Sequence, residues 1–256
     1  MAATSEKELL QLKKRLLELA DKSYNRGIYT YTPFLSLLEQ QVFYEVQKEV
    51  EHAGFAMEGG APICERKIIR FGNAENLGYE EDYPIVCIEI MPVTPKFADK
   101  FTHRDFLGAI MNLGIERSTI GDIFLQKQGA ILFCQESIAS YIMENLQQVK
   151  HTTVKSRIVE KTEELQETEP QEVSVTVASE RIDGVIAKIY NMSRSQSLEL
   201  FRSGRIFVNG ILMENNSYQL KKEDAVTVRG YGKFVFYGMV GETRKGKERV
   251  VVGLFV

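Results

Sequence analysis

The chain has 256 residues, 44% of them hydrophobic, and a formal net charge of −3. That length suits one to three domains, the composition is ordinary for a folded globular protein, and the acidic balance argues against general coating of nucleic acid. No apolar run approaches the roughly 18 residues of a membrane span, and the charged, then amphipathic, start lacks a secretory signal, so a cytoplasmic protein with no membrane partner is expected.

In chain order, residues 1–76 come first. Leu9, Leu12, Leu16 and Leu19 repeat at helical spacing, as do Val42, Val46, Val50 and Ala53. Pro33 could open the second helix at its first turn. The stretch ERKIIRFGN reads as a strand closed by Gly72-Asn73. A mostly helical domain with a short β element is expected.

Residues 77–158 follow. YPIVCIEIMP is a buried-strand pattern ending at Pro92, and RDFLGAIMNLG is a helix with Gly114 as its C-cap. TIGDIFLQ and AILFC, joined by KQG, make a hairpin. QESIASYIMENLQQV is a second helix and TTVKSRIV a last strand. The order β-α-β-β-α-β predicts a ferredoxin-like domain, the topology of RNA-recognition domains. The hairpin lacks the aromatic signature by which those domains stack bases. Contact with RNA therefore stays open for this domain, with Arg104 and Arg117, which flank its first helix, as candidates.

Residues 159–178 contain VEKTEELQETEPQEVS, rich in glutamate and nearly free of apolar residues, and read as a solvated acidic linker. Residues 179–256 carry a charge of +5 against −8 for the remainder, an asymmetry that can mark a nucleic-acid-binding module. RIDGVIAKIY sets Ile182, Val185, Ile186 and Ile189 on one helical face. Ser193 with Gln196 three residues on is a capping-box pattern for a helix that stops at Gly204. RIFV and ILME flank Asn209-Gly210, the strongest short hairpin signal. AVTVRG is a further strand, and two alternating strands surround the basic turn Arg244-Lys245-Gly246-Lys247. The fold class expected is α+β, ending in an α-α-β-type domain.

Ser195, Glu199 and Arg202 lie at i, i+4, i+7 and share a helical face. Arg194 falls in the first turn, where the helix dipole is itself positive, so a cation there needs another reason. An RNA phosphate supplies one, because first-turn amides and an arginine can grip the same anion. A solvated helix end with a capping serine is the alternative. Arg181, Lys188, Ser193, Arg194, Ser195, Arg202, Arg205 and Lys233 form the candidate RNA-binding set. Arginine and short hydroxyl side chains suit structured RNA, read through phosphates and 2′-hydroxyls.

The three cysteines, Cys64, Cys87 and Cys134, form no CxxC pair, and His52, His103 and His151 are scattered. Reduced, buried thiols are expected, with no metal, no cofactor and no small-molecule substrate. His103-Arg104-Asp105 echoes a kinase catalytic loop, but Ile110 stands where its asparagine should be.

The run from Arg181-Ile182-Asp183 through Ser193-Arg194-Ser195-Gln196 to Gly204-Arg205-Ile206-Phe207-Val208-Asn209-Gly210 resembles the S-four domain, whose pattern is R-L-D, S-R-S-Q-A and G-x-V-x-V-N-G. The departures are Ile182, Ser197 and Ile206. HRDFLGAIMNLGIERSTIGDI and the closing GETRKGKERV are similar to the YlmH family of bacterial RNA-binding proteins, often encoded beside cell-division genes. That resemblance spans essentially the whole chain. It implies a non-catalytic monomer that binds rRNA or tRNA at the large ribosomal subunit, where stalled peptidyl-tRNA is handled. Pseudouridine synthases also carry an R-L-D, whose aspartate is the nucleophile; here Asp183 starts a helix and fits its positive dipole end. The competing readings are an RNA-modifying enzyme of the pseudouridine synthase or methyltransferase class, and a cell-division scaffold.

Overall fold

The computed structural model describes residues 6–160, 170–243 and 246–255. The chain is α+β and forms two compact units, Met1–Glu164 and Leu165–Val256.

The first unit opens with helix α1 (Glu6–Arg26), strand β1 (Thr30–Tyr31) and helix α2 (Leu37–Val50). Leu16, Leu19 and Ala20 of α1 pack on Val42, Phe43, Val46 and Val50 of α2, so both expected apolar stripes meet in one core. Pro33 does not open α2. Ser36 does, because its hydroxyl accepts from the Glu39 amide while the Glu39 carboxylate takes the Ser36 N–H at 2.7 Å. Strands β2 (Phe55–Glu58) and β3 (Ile68–Phe71) complete a three-stranded sheet of order β1-β3-β2 that closes this core with Ile69 and Phe71. The short helix α3 (Ala74–Leu77) leads out.

Strand β4 (Ile85–Pro92), helix α4 (His103–Met111), strands β5 (Ile120–Gln126) and β6 (Gly129–Gln135), helix α5 (Glu136–Asn145), and strands β7 (Gln148–Val149) and β8 (Thr152–Val159) follow. The antiparallel sheet runs β5-β6-β4-β8-β7. Ile88, Ile90 and Leu132 face Phe106 and Ile110 of α4 and Ile142 of α5. α4 stops at Met111 with Asn112 as C-cap, and Gly114 takes the left-handed conformation (φ 77) two residues beyond the cap assigned to it.

On the sheet face away from α4 and α5, alternation along the strands places Cys87, Ile131 and Phe133, all buried. Their cover is the chain's own N-terminal part. A Cβ on Gly60 (φ 105) would lie 2.3 Å from the Phe133 ring, and one on Gly121 2.9 Å from Phe34. Only glycine fits both the backbone angle and the approach at residue 60. Cys64, Cys87 and Cys134 are buried thiols with no disulfide among them, and burial pushes the Cys64 and Cys134 thiols up to about 12.

The second unit holds strand β9 (Gln171–Val177), helices α6 (Ile182–Ile189) and α7 (Arg194–Arg202), and strands β10 (Ile206–Val208), β11 (Ile211–Leu212), β12 (Ala225–Val228), β13 (Gly232–Glu242) and β14 (Glu248–Phe255). One antiparallel sheet of order β11-β10-β12-β13-β14-β9 carries the two helices. Gln171–Val177, placed in the acidic linker by composition, is thus an edge strand paired to β14 from Gln171↔Leu254 to Val177↔Glu248. Val173, Val175 and Val177 alternate inward onto the core while Glu172, Ser174 and Thr176 face out. The remaining linker residues 161–169 and the basic pair Arg244-Lys245 lie outside the described residues. Asn209 (φ 53) and Gly210 (φ 80) make the expected tight hairpin between β10 and β11.

Candidate nucleic-acid interface

In the second unit the basic side chains gather around a buried carboxylate. Asp183, in the first turn of α6, is 1% exposed. It accepts from Arg181 Nε at 3.1 Å and Nη2 at 2.9 Å, from the Gly184 amide at 2.8 Å and from Asn216 Nδ2 at 3.4 Å. Arg194 Nη2 lies 3.8 Å from the same carboxylate. Burial alone would raise the Asp183 pKa; the Arg181 hydrogen bonds and charge, the Gly184 amide and Asn216 outweigh it and hold the carboxyl below the usual range. Asp183 is therefore more than a helix-dipole residue: it fixes Arg181 and draws Arg194 beside it.

The α6–α7 junction is rigid for local reasons. Ser193 caps α7 through the expected box with Gln196, and its hydroxyl lies 3.0 Å from that of Ser195. Ser197 is fully buried and its hydroxyl donates to the Asp183 carbonyl at 3.0 Å, tying α7 to α6. Leu200 and Phe201 anchor the inner face. The outer face presents Ser195, Glu199 and Arg202, all exposed as the spacing predicted. Arg202 meets Glu199 at 3.8 Å with both side chains mostly in water, an ion pair worth little. The Arg194 side chain is 73% exposed. Lys188 is exposed on α6.

A second group forms at one end of the sheet. Arg205 donates through Nε to the Arg229 carbonyl at 3.0 Å and through Nη2 to the same oxygen, and its guanidinium lies 5.7 Å from the Tyr231 ring centre. Arg229 lies over Phe207 at 5.9 Å, and Lys233 over Phe255 at 5.1 Å. Tyr231 is 49% exposed and packs against Tyr190 with the rings tilted by 55°. The structure thus brings Arg181, Ser193, Arg194 and Ser195 together at the helix starts, and sets Arg205 against the Arg229–Tyr231 turn, with Lys233 on the strand that follows it. Arg202 and Lys188 pair with neither group. Sequence reasoning missed Asn216, Arg229 and Tyr231. The run Arg229-Gly230-Tyr231-Gly232-Lys233, with cations on either side of an aromatic, carried a signal for the last two.

In the first unit Arg104 and Arg117 part ways. Arg104 is exposed in the first turn of α4 and lines a groove of about 550 Å³ with Asn112, Asn145, Gln148 and Lys150. Arg117 donates to the carbonyls of Ile120 at 2.5 Å and Gly121 at 3.2 Å. Burial, with the neighbouring Arg66 charge, pushes it down to about 10. Arg66 likewise bonds the carbonyls of Phe34 and Ile120. Both side chains act as struts under the covered sheet face. Among the described residues, no three His, Cys, Asp or Glu side chains cluster as metal ligands. No helix among them is long and apolar enough to cross a membrane.

Residues 79–163 match a family model described as "Putative RNA-binding domain in YlmH". The chain is 28% identical over 223 residues to the Bacillus subtilis (strain 168) ribosome-associated protein quality control protein P2, covering 86% of this chain and 84% of that protein. A solved structure described as the cell division protein ylmH from Streptococcus pneumoniae covers 65% of this chain and 99% of its own, at 18% identity and a TM-score of 0.48. The resemblance to the YlmH family read from the sequence is borne out by the family model and the Bacillus relative.

Proposed function

We propose that this YlmH-type chain is a non-catalytic RNA-binding factor of the translation machinery. Its second unit acts as an S-four-type domain that grips phosphates of rRNA or tRNA on the large ribosomal subunit, in the rescue of subunits stalled with peptidyl-tRNA. The first unit contributes a ferredoxin-like, RNA-recognition-type body. The chain works as a cytoplasmic monomer without a cofactor.

The observation that carries this reading is the Asp183 hub. A buried carboxylate fixes Arg181 and sets Arg194 at the mouth of α7, with most of the Arg194 side chain in solvent. Folding explains Asp183 and Arg181. The ion pair of Arg194 with Asp183 is long, at 3.8 Å, and leaves that side chain 73% exposed at the positive end of a helix; a phosphate accounts for the exposed cation, because the arginine and the first-turn amides can bind it together. The match of residues 79–163 to an RNA-binding family and the name of the Bacillus relative support the same reading.

The test is co-sedimentation of the protein with large ribosomal subunits at low and moderate salt. An Arg194→Ala/Arg202→Ala variant should sediment at least about tenfold less efficiently, two charge-assisted contacts being lost. Equal sedimentation of variant and wild type would remove these arginines from the interface.

A further inference from the structure

Phe97 is 79% exposed, more than any other large hydrophobic side chain among the described residues. It ends the single turn Pro95–Phe97 after β4. Four residues on, Phe101 turns inward and packs on Phe106 at 5.0 Å, so folding accounts for one aromatic of this loop and not for the other. The exposure is not slack chain. The Asp99 amide donates to Thr152 Oγ1 at 2.8 Å, and the Asp99 carboxylate accepts from Thr152 Oγ1 at 2.8 Å and the His151 amide at 3.1 Å. Lys150, at a left-handed φ of 53, donates to the Lys100 carbonyl at 3.0 Å and pairs with Asp105 at 3.1 Å. These bonds weld the loop to the β7–β8 turn and hold the ring out.

The surroundings are cationic. Lys96 Nζ lies 5.8 Å from the Phe97 ring centre, Lys100 and Arg104 are exposed, and Lys150, whose charge is shared with Asp105, adds further donors. The two nearby carboxylates are already engaged, Asp99 with Thr152 and Asp105 with Thr102 and Lys150. A fixed, solvent-facing aromatic ring among lysines is the arrangement that stacks an unpaired base while the cations hold the flanking phosphates. The face that RNA-recognition domains ordinarily offer for stacking, the open side of the sheet, is closed here by Gly60 packed on Phe133.

We propose that Phe97, flanked by Lys96, Lys100 and Lys150, is a stacking platform for an unpaired nucleobase of single-stranded RNA, a binding site of the first unit separate from the arginines of the second. Lys150 and Arg104 also line the amide-rich groove beside α4, so a strand leaving the ring meets Asn112, Asn145 and Gln148. The inference rests on reading the chain as an RNA binder, but on different residues and a different form of RNA.

The test uses the full chain and two fluorescent probes, an oligouridine of about 12 nucleotides and an RNA duplex of equal length, at one fixed salt concentration. Phe97→Ala should weaken oligouridine binding about 5- to 100-fold, the loss of one stacked base, and leave duplex binding unchanged. Phe97→Trp should bind oligouridine as wild type does, and Phe97→Leu should not. The Arg194→Ala/Arg202→Ala variant should lose duplex binding. Oligouridine binding by Phe97→Ala equal to wild type overturns the proposal. So does sedimentation showing that wild type pairs with a second copy and Phe97→Ala does not, which makes the ring a self-association contact. Unchanged duplex binding by the arginine variant counts against the reading of the second unit and leaves Phe97 standing.

Discussion

Asp183 shows how much of the interface is held from beneath. Its carboxylate is buried under Arg181 and reached by Asn216, 33 residues along the chain. Asp183→Ala leaves Arg181 without its partner and should destabilise the second unit by about 3 kcal/mol. Hydrogen exchange of the α6 amides, faster by roughly 100-fold, would read that loss. Because the folded pKa is depressed, the stabilisation is fully present above the ordinary aspartate pKa near 4 and fades as pH falls through the folded value. α6 protection in wild type should therefore stay flat from about pH 7 to 5 and drop below about pH 4, while Asp183→Ala shows a smaller drop. The sequence displayed Asp183 as a helix-start aspartate, since its position in the first turn is local information. Its burial and its bond to Asn216 depend on how a distant loop packs, and no spacing rule reaches that. Arg117 is the converse case: beside a helix it reads as a free cation, yet the carbonyls of Ile120 and Gly121 consume it.

Among elements, those defined by contacts three or four residues apart were legible. Ser193 with Gln196 gave the start of α7, and Asn209-Gly210 gave the hairpin, because capping and turn geometry depend on neighbours alone. Ser193→Ala should cost about 1 kcal/mol and speed exchange in the first turns of α7 without unfolding the unit. Strand β9 was obscured because the glutamates just before it dominate the segment's composition, although Val173, Val175 and Val177 alternate within the strand. An edge strand buries one face only, so half its residues are free to look like a linker. Val177 is 2% exposed, and Val177→Asp, which buries a charge with no partner, should destabilise the unit by about 3 kcal/mol or more. Unprotected β14 amides in exchange would report it, and β14 amides as protected as in wild type would restore the linker reading for that segment.

Across the whole molecule, the net positive charge lies in residues 179–256 of an acidic chain, 13 Lys and Arg against 8 Asp and Glu, a division plain from the sequence. What the sequence did not show is that the first unit covers its own sheet face, since Phe34, Gly60 and Phe133 meet only after long-range pairing of separate segments. That cover removes the usual stacking platform, and under the proposed function structured RNA falls to the second unit's arginines. Phosphate neutralisation then dominates affinity, and affinity falls with salt in proportion to the number of contacts. The most direct measurement is the slope of log Kobs against log salt for a structured RNA bound by wild type and by Arg194→Ala/Arg202→Ala. The account predicts a slope shallower by about 1.4 to 1.8 in the variant, two phosphate contacts at roughly 0.7 to 0.9 each, with weaker binding throughout. Parallel lines of equal affinity would contradict it.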